Sequence, residues 1–155
     1  MKPDYDLMAR QLEAFIDEDP DYLPVLANAS ALLMESMDRI NWAGFYLMRG
    51  GRLVLGPFQG KPACIHIGPG RGVCGTAAAE DRIVRVEDVH AFPGHIACDA
   101  ASNSEIVIPL HFGITGEVTG VLDIDSPETG RFDERDERGL AAFAKVLEAR
   151  TEGMA

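Results

Sequence analysis

Hydrophobic residues recur every three to four positions in two stretches at the start of the chain and in one stretch near its end. This spacing places them on one face of a helix. We therefore predict amphipathic helices over 6–18, 21–37 and 133–151, with Asp133 as the N-cap of the last helix. The hydrophobic faces consist of Leu7, Met8, Leu12, Phe15 and Ile16, then Tyr22, Leu26, Ala29, Leu33 and Met37, then Leu140, Phe143, Ala144 and Leu147.

Between the helical stretches the pattern changes to β-rich runs that are separated by glycines. Each of two pairs of runs flanks a Gly-containing turn and predicts an antiparallel hairpin. The pairs are 41–47 with 52–55 and 105–112 with 117–124. Between the hairpins lie a strand-like run at 63–67, a Gly-rich bend at 68–72, a short helix at 76–80, a strand at 83–86 and a long loop at 87–103.

Helices at both ends with five or six strands between them predict an α+β fold. We expect a central antiparallel sheet of about six strands, with the N- and C-terminal helices packed on one face. No repeat or linker divides the chain, and 155 residues fit one domain. The predicted single domain spans 1–155, with N-terminal helices at about 6–37, sheet and active-site loops at about 40–126 and a C-terminal helix at about 133–151.

Charge narrows the range of possible partners. The chain carries 14 Lys and Arg against 25 Asp and Glu, a formal net charge of −11. Its basic residues are not clustered in the sequence, which argues against nucleic-acid binding. No stretch approaches the ~20 apolar residues of a membrane span, and the first residues lack the apolar segment of a signal peptide. We therefore expect a cytoplasmic protein that binds neither nucleic acid nor a membrane.

The three cysteines, Cys64, Cys74 and Cys98, are an odd number, and a reducing cytosol disfavours a framework of structural disulfides. Thiol redox chemistry instead needs an attacking thiolate and a second thiol that condenses with it. Cys98 lies in a polar loop, and the other two cysteines flank the Gly-rich bend. A single cysteine is usually structural, but the polar context of Cys98 favours a chemical role.

Dinucleotide binding and metal binding have weaker support in the sequence. Residues 70–75 match the dinucleotide-binding pattern G-x-G-x-x-G, but no βαβ unit follows, so we interpret these glycines as a tight turn with positive φ. Six possible metal ligands lack the spacing of zinc sites, and we expect no metal; for His90 and His95, hydrogen bonding within the loop is the simpler interpretation. The six are Cys64, His66, Cys74, His90, His95 and Cys98.

Acidic and aromatic residues occupy positions that are typical of a ligand pocket. Asp123 and Asp125 alternate on one strand and so share a face, and Glu105 begins another strand. Carboxylates in proximity favour a cationic ligand such as an ammonium group, or one of them stays protonated and acts as an acid. Otherwise they are strand-end residues that face water. Trp42 and Tyr46 also share a face, either in the core or as pocket walls for a methyl group beside a sulfur.

Six segments occur along the chain in this order: NWAGFY at 41–46, QGKPAC at 59–64, GRGVCG at 70–75, FPGHIACD at 92–99, SEIVIP at 104–109 and GVLDIDSP at 120–127. Together they resemble the free methionine-R-sulfoxide reductases, which are GAF-domain enzymes. The resemblance extends over nearly the whole chain and keeps the spacing of the three cysteines. Only the terminal helices are less similar.

The resemblance implies a GAF-like fold and reduction of free L-methionine (R)-S-oxide to L-methionine. It implies that Cys98 attacks the sulfoxide sulfur and becomes a sulfenic acid, and that Cys64 then closes a disulfide with Cys98. Cys74 resembles an auxiliary or alternative resolving thiol. Thioredoxin would reduce the disulfide, and no cofactor is implied besides this external reductant.

By the same resemblance, Glu105, Asp123 and Asp125 would hold the substrate ammonium group, and one of them would help to protonate the departing oxygen. Trp42 and Tyr46 would line the pocket for the methyl and thioether groups. The resemblance also implies a homodimer. The alternatives are a GAF module that senses a small ligand, and a redox sensor that forms a disulfide without turnover.

Overall fold

The computed structural model describes residues 3–18, 21–94 and 101–150, and this part of the chain contains four α-helices and six β-strands. The helices are α1 (Tyr5–Glu18), α2 (Tyr22–Ser36), α3 (Gly72–Glu80) and α4 (Glu134–Arg150). The strands are β1 (Trp42–Arg49), β2 (Arg52–Gln59), β3 (His66–Ile67), β4 (Val84–Val86), β5 (Ser104–Leu110) and β6 (Gly120–Ser126). A 3₁₀ turn, Val89–Ala91, follows β4. None of the helices described is long and apolar enough to cross a membrane.

The six strands form one sheet in the order β3-β2-β1-β6-β5-β4, and every neighbouring pair is antiparallel. The first strand, β1, and the last strand, β6, are therefore neighbours in the centre of the sheet, and β6 lies between β1 and β5. The predicted α+β fold with an antiparallel sheet of about six strands is confirmed.

The β1–β2 hairpin turns through two glycines. Arg49 pairs with Arg52, which leaves only Gly50 and Gly51 in the turn, and their φ angles are 61° and 81°. Two consecutive positive φ angles give the turn type whose twist matches that of the flanking strands, and glycine adopts them without strain. The hairpin predicted from the sequence is confirmed, although β2 continues to Gln59 beyond its expected end at residue 55.

Several element boundaries differ from the sequence-based expectation. The β5–β6 ladder closes at the pair Leu110 and Gly120, so the connection is longer than the predicted turn at 113–116. Phe112 leaves the ladder because its backbone N–H is donated to the Thr119 hydroxyl, at 2.8 Å. Of the strand expected at 63–67, only the last two residues form β3, and α3 begins four residues earlier than expected. Local composition favours β-structure at the ends of these strands, but the actual limits of a strand depend on its partner strand.

The sheet separates two hydrophobic clusters. On one face, α1, α2 and α4 cover side chains such as Phe45, Ile106 and Leu122. On the other face, α3 and the loops cover a smaller cluster. The terminal helices thus pack on one face as predicted, although Leu7 at the edge of the α1 hydrophobic face is 43% exposed.

A buried polar network fixes the start of α4. The backbone N–H of Asp136 is donated to the Asp133 carboxylate at 3.0 Å, and the N–H of Asp133 is donated to the Asp136 carboxylate at 2.9 Å. This reciprocal cap confirms Asp133 as the N-cap. Asp136 also accepts hydrogen bonds from the Tyr5 hydroxyl and from Arg131. The Tyr5 ring lies where a side chain at Gly139 would be, so the first and last helices pack closely.

His111 connects three elements near the end of β5. Its Nε2 lies 2.7 Å from the Asp81 carboxylate, just after α3, and its Nδ1 lies 3.0 Å from the Glu148 carboxylate of α4. Partial burial lowers the pKa of His111, but the hydrogen bonds that its charged ring donates to Asp81 and Glu148 outweigh this effect and raise the pKa above its usual value.

This arrangement predicts a pH-dependent contribution to stability. Because the pKa is raised on folding, charged His111 stabilises the fold fully below the unfolded-state pKa of about 6.5 and loses this effect as the pH rises through the folded-state value. We expect the stability advantage of the wild type over His111→Gln, about 0.5–1 kcal/mol at pH 6, to shrink toward pH 9. Urea unfolding at several pH values measures it. The dependence should be weaker in Glu148→Gln, and an advantage that does not change with pH would contradict the assignment.

Candidate active site

A cavity opens on the α3 side of the sheet, where β1, β6 and β5 lie next to one another. Its volume of about 50 Å³ is several times the ~10–15 Å³ that one water molecule needs, which leaves room for a small ligand. Its walls consist of Trp42, Tyr46, Glu105, Asp123 and Asp125 from the sheet, Arg71, Gly72, Val73 and Cys74 from the start of α3, and Ala63, Ile67, Val89 and Ser102 from other segments.

The strand register brings the sheet residues of the site together. Asp125 pairs with Trp42 on one side and with Glu105 on the other. Asp123, two positions earlier on β6, pairs with Gly44. Directly paired residues of antiparallel strands share a face, so the carboxylates and the aromatic residues all project toward the cavity. The five residues predicted to bind substrate are therefore found in one place.

The carboxyl groups lie in a buried environment. Glu105 is 8% exposed and Asp123 is 5% exposed. Burial, followed by the charges of Asp123 and Asp125, raises the pKa of Glu105 well above its usual value, and burial also raises the pKa of Asp123. Oδ1 of Asp123 is buried and accepts no hydrogen bond from any described residue. A buried acceptor without a donor is costly, so the site is suited to a ligand that brings hydrogen-bond donors and positive charge.

The rings of Trp42 and Tyr46 form the apolar wall, and the Phe58 ring stacks on that of Trp42. The centroid of the Trp42 ring lies 6.0 Å from that of Tyr46 and 5.1 Å from that of Phe58. Gly60 makes this possible because a side chain there would meet the Trp42 ring at 2.6 Å, and its φ of 135° also favours glycine. A face of this kind binds methyl and thioether groups through dispersion and sulfur–aromatic contacts.

The polar atoms of two of these rings anchor the segment between β2 and β3. Trp42 Nε1 donates to the carbonyl oxygen of Lys61 at 3.1 Å, and the Tyr46 hydroxyl donates to that of Cys64 at 2.9 Å. The backbone N–H of Leu55 donates to the carbonyl oxygen of Ile65 at 2.9 Å. The backbone around Cys64 is therefore fixed relative to the cavity wall.

Cys64 and Cys74 differ in their redox state. Cys64 is disulfide-bonded and partly buried. Cys74 is free and buried at the first turn of α3, where its Sγ lies 3.9 Å from a Glu105 carboxyl oxygen. Burial, then the charges of Asp123 and Glu105, raise the pKa of the Cys74 thiol well above its usual value. Cys98, the predicted attacking thiol, lies outside the described residues.

Within the ranges described, one group of three side chains could hold a metal ion. Cys74, Glu105 and Asp123 present ligand atoms within 4.8 Å of one another, but neither His66 nor His90 belongs to this group. The His90 ring bonds Asn103 at 3.1 Å, in agreement with the expected loop hydrogen bonding, and His95 lies outside the described residues. The same carboxyl oxygens suit an organic cation.

Comparison with known proteins finds relatives that match over most of the chain. Residues 13–148 match the model of the GAF domain. The free methionine-R-sulfoxide reductase of Escherichia coli is 56% identical over 139 residues, which cover 90% of this chain and 83% of that protein. The reduced form of the fRMsr of Staphylococcus aureus has a TM-score of 0.92 and 49% identity, with 97% of this chain and 96% of that chain covered.

A second solved structure contains a ligand. The free methionine-R-sulfoxide reductase from Neisseria meningitidis, in complex with its substrate, has a TM-score of 0.91 and 45% identity, and the match covers 97% of this chain and 89% of that chain. The chain belongs to the free methionine-R-sulfoxide reductase family of GAF-domain proteins. It is therefore an oxidoreductase.

Two polar side chains in the cavity wall of this reductase family member, those of Arg71 and Ser102, are not identified by the sequence reasoning. Arg71 precedes α3 within the Gly-rich motif, whose glycines Gly70 and Gly72 have φ angles of 69° and 61°, as expected for a tight turn. The sequence predicts only a tight turn for this motif, whereas in the structure the motif also places the start of α3 in the cavity wall. Ser102 reaches the cavity from the loop before β5 and accepts a hydrogen bond from the Asn41 side chain. Its position close to Cys98 in the sequence is the only signal for it.

The environment of Cys74 predicts low reactivity in this reductase. In the double variant Cys64→Ser/Cys98→Ser, Cys74 is the remaining thiol. Because its raised pKa and burial suppress the thiolate, we expect a disulfide reagent such as DTNB to modify it at least about 100-fold more slowly in the native protein than in urea. Equal rates would show an accessible thiol and would favour Cys74 as the resolving cysteine.

Proposed function

We propose that the protein reduces free L-methionine (R)-S-oxide to L-methionine with electrons from thiols. The observation that carries this proposal is the buried carboxyl oxygen of Asp123, which accepts no hydrogen bond from the part of the chain that the structure describes and lies in a cavity with an aromatic wall. This combination complements a free amino acid that has an ammonium group at one end and a methyl sulfoxide at the other. The free methionine-R-sulfoxide reductases among its relatives and structural neighbours support the same substrate.

In the proposed complex, Glu105, Asp123 and Asp125 hold the ammonium group. A free amino acid brings positive charge and three donors to oxygens that are otherwise desolvated, and this offsets the cost of their burial. A methionine sulfoxide within a peptide has an uncharged amide with a single donor, so binding it would leave buried carboxyl oxygens unsatisfied. The carboxyl cluster is thus the source of specificity for the free amino acid.

The proposed chemistry begins at Cys98. Its thiolate attacks the sulfoxide sulfur and forms an S–S bond, and the sulfoxide oxygen is protonated. The oxygen is then transferred to the Cys98 sulfur as a sulfenic acid while the S–O and S–S bonds to the substrate break, and methionine leaves with its sulfur reduced by two electrons. Glu105, whose pKa is raised by burial and by its acidic neighbours, is the proton donor that we favour. Trp42 and Tyr46 hold the methyl and thioether groups against the attacking sulfur.

Cys64 then resolves the sulfenic acid. Its thiol attacks Cys98, water leaves, and a disulfide forms. The disulfide-bonded state of Cys64, together with a free Cys74, supports this pairing; Cys74 serves as an auxiliary thiol. Thioredoxin reduces the disulfide, and no cofactor takes part besides this reductant. We place the reaction in the cytoplasm because the cycle needs a reducing compartment, and we propose a homodimer that binds neither nucleic acid nor a membrane.

Turnover of free L-methionine (R)-S-oxide with dithiothreitol and with a thioredoxin system tests the function directly. We expect activity with the free R epimer, little activity with the S epimer or with a peptide-bound sulfoxide, and none in Cys98→Ser. Because Cys64 acts only after methionine has left, Cys64→Ser should release about one methionine per protein in a single turnover. No turnover by the reduced wild type would refute the reductase proposal and would favour a sensor.

The role of the carboxyl cluster is tested by Asp123→Asn. We expect kcat/KM for the free sulfoxide to fall at least about 30-fold, since a charge-assisted hydrogen bond to the ammonium group is lost. The matched control Asp6→Asn, on the exposed side of α1, should retain wild-type activity. The deciding measurement uses 4-(methylsulfinyl)butanoate, which lacks the amino group. Asp123→Asn should discriminate less strongly than the wild type between this analogue and the free sulfoxide, and unchanged discrimination would contradict the proposed role.

A further inference from the structure

Charge is distributed very unevenly along this acidic chain. Residues 39–79 contain no Asp or Glu, so all 25 acidic residues lie outside this segment, together with nine of the 14 Lys and Arg. The formal charge is therefore +5 within the segment and −16 in the rest. The five basic residues are Arg39, Arg49, Arg52, Lys61 and Arg71.

The fold collects this segment on one side of the molecule. It forms β1, β2 and β3, which are consecutive in the sheet, and β3 is an edge strand. Arg52, Lys61 and Arg71 are exposed, and none of them forms an ion pair within the ranges described. By contrast, Arg39 pairs with Glu128, and Arg82 pairs with Glu80. The positive charge near the β3 edge is thus available to a partner.

An exposed apolar side chain lies at the same edge, next to the disulfide-bonded cysteine. Ile65 directly follows Cys64 and is 62% exposed, and Lys61 and His66 are exposed beside it. The hydrogen bonds of the Cys64 and Ile65 carbonyl oxygens fix the backbone at this point. Presenting Ile65 to a partner therefore requires no rearrangement of the segment, which lowers the entropic cost of docking.

We propose that Lys61, Ile65 and His66 form the docking surface for an acidic dithiol reductant, and that this reductant attacks Cys64. The inference rests on the proposed function, which supplies the disulfide to be reduced. Ile65 provides the apolar contact at the centre of the surface. The basic residues around it attract a negatively charged partner and orient it toward the sulfur of Cys64.

The reaction at this surface is a thiol–disulfide exchange. One thiolate of the reductant attacks Sγ of Cys64, a mixed disulfide forms, and the thiolate of the other disulfide cysteine leaves. The second thiol of the reductant then attacks its own sulfur in the mixed disulfide and releases the thiolate of Cys64. The dithiol supplies both electrons and ends as a disulfide.

A second copy of this chain is the other acidic molecule that such a surface could attract. A copy seated over Ile65 would cover the neighbouring cysteine and keep every reductant away from it, so the redox cycle favours the reductant as the occupant. Light scattering on the variants described below separates the two: a change in oligomeric state would favour the second copy and contradict our proposal.

The double variant Lys61→Glu/Ile65→Ser tests the docking surface. In turnover driven by thioredoxin, we expect KM for thioredoxin to rise about tenfold or more. The attraction between Lys61 and the acidic partner becomes a repulsion, and the apolar contact of Ile65 is lost. Turnover driven by dithiothreitol, a small uncharged dithiol, should stay within about twofold of the wild type, because it needs no docking. The matched control Ile114→Ser, at a residue that is 85% exposed, should leave both reactions unchanged.

The outcomes distinguish the docking proposal from the proposed function. Activity with dithiothreitol in the wild type establishes the reductase reaction whatever the surface variant does. An unchanged KM for thioredoxin in the double variant, or an equal loss with both reductants, would overturn the docking surface alone. Added salt should also raise the wild-type KM for thioredoxin more than that of the double variant, because salt screens the attraction that the variant lacks.

Trapping the intermediate gives an independent test on the wild-type protein. A thioredoxin whose second active-site cysteine is replaced by serine cannot release itself from a mixed disulfide. After reaction with the oxidised protein, peptide mass spectrometry should find it attached to Cys64. Attachment to Cys98 instead would overturn the proposal.

Discussion

The register of β1, β6 and β5 is the constraint on which the rest of the site depends. Because side chains alternate between the two faces of a strand, a shift of one residue in β6 would move Asp123 and Asp125 into the helix-covered hydrophobic core. The large apolar cluster beneath α1, α2 and α4 prevents that shift. The shift would bury two carboxyl groups among apolar side chains, which is energetically costly. The unfavourable placement of buried acids on one face is thus maintained by apolar burial on the other.

The aromatic residues of β1 connect substrate recognition to the redox segment. In Trp42 and Tyr46, the rings form the cavity wall while the indole N–H and the hydroxyl hold the backbone from Lys61 to Cys64. A single strand therefore positions both the proposed binding surface for the thioether and the proposed resolving cysteine. Replacement of either ring by an apolar one of similar shape would separate the two roles, since it removes the anchor and keeps the wall.

Sequence reasoning predicts those features that local chemistry determines. Asp133 caps α4, two glycines turn the first hairpin, and the alternation of Asp123 and Asp125 places both on the cavity face. It does not predict features that depend on contacts distant in the chain. The limits of β5 and β6 depend on where their ladder closes, and Arg71 reaches the cavity only because α3 packs against the sheet there. The burial of Cys74 likewise follows from tertiary packing. Cys98 lies outside the described residues.

The two faces of the sheet have separate tasks, and this separation affects how such a protein can change. Three helices and most of the large apolar side chains lie on one face, and they hold the sheet together without contributing a group to the cavity. The opposite face carries the polar groups, one short helix and irregular connections. Substitutions there alter the chemistry of the cavity while the scaffold behind it keeps its own packing. An architecture of this kind can acquire new ligands by replacing a few strand residues, because the larger hydrophobic cluster lies on the opposite face from the residues that decide what it binds.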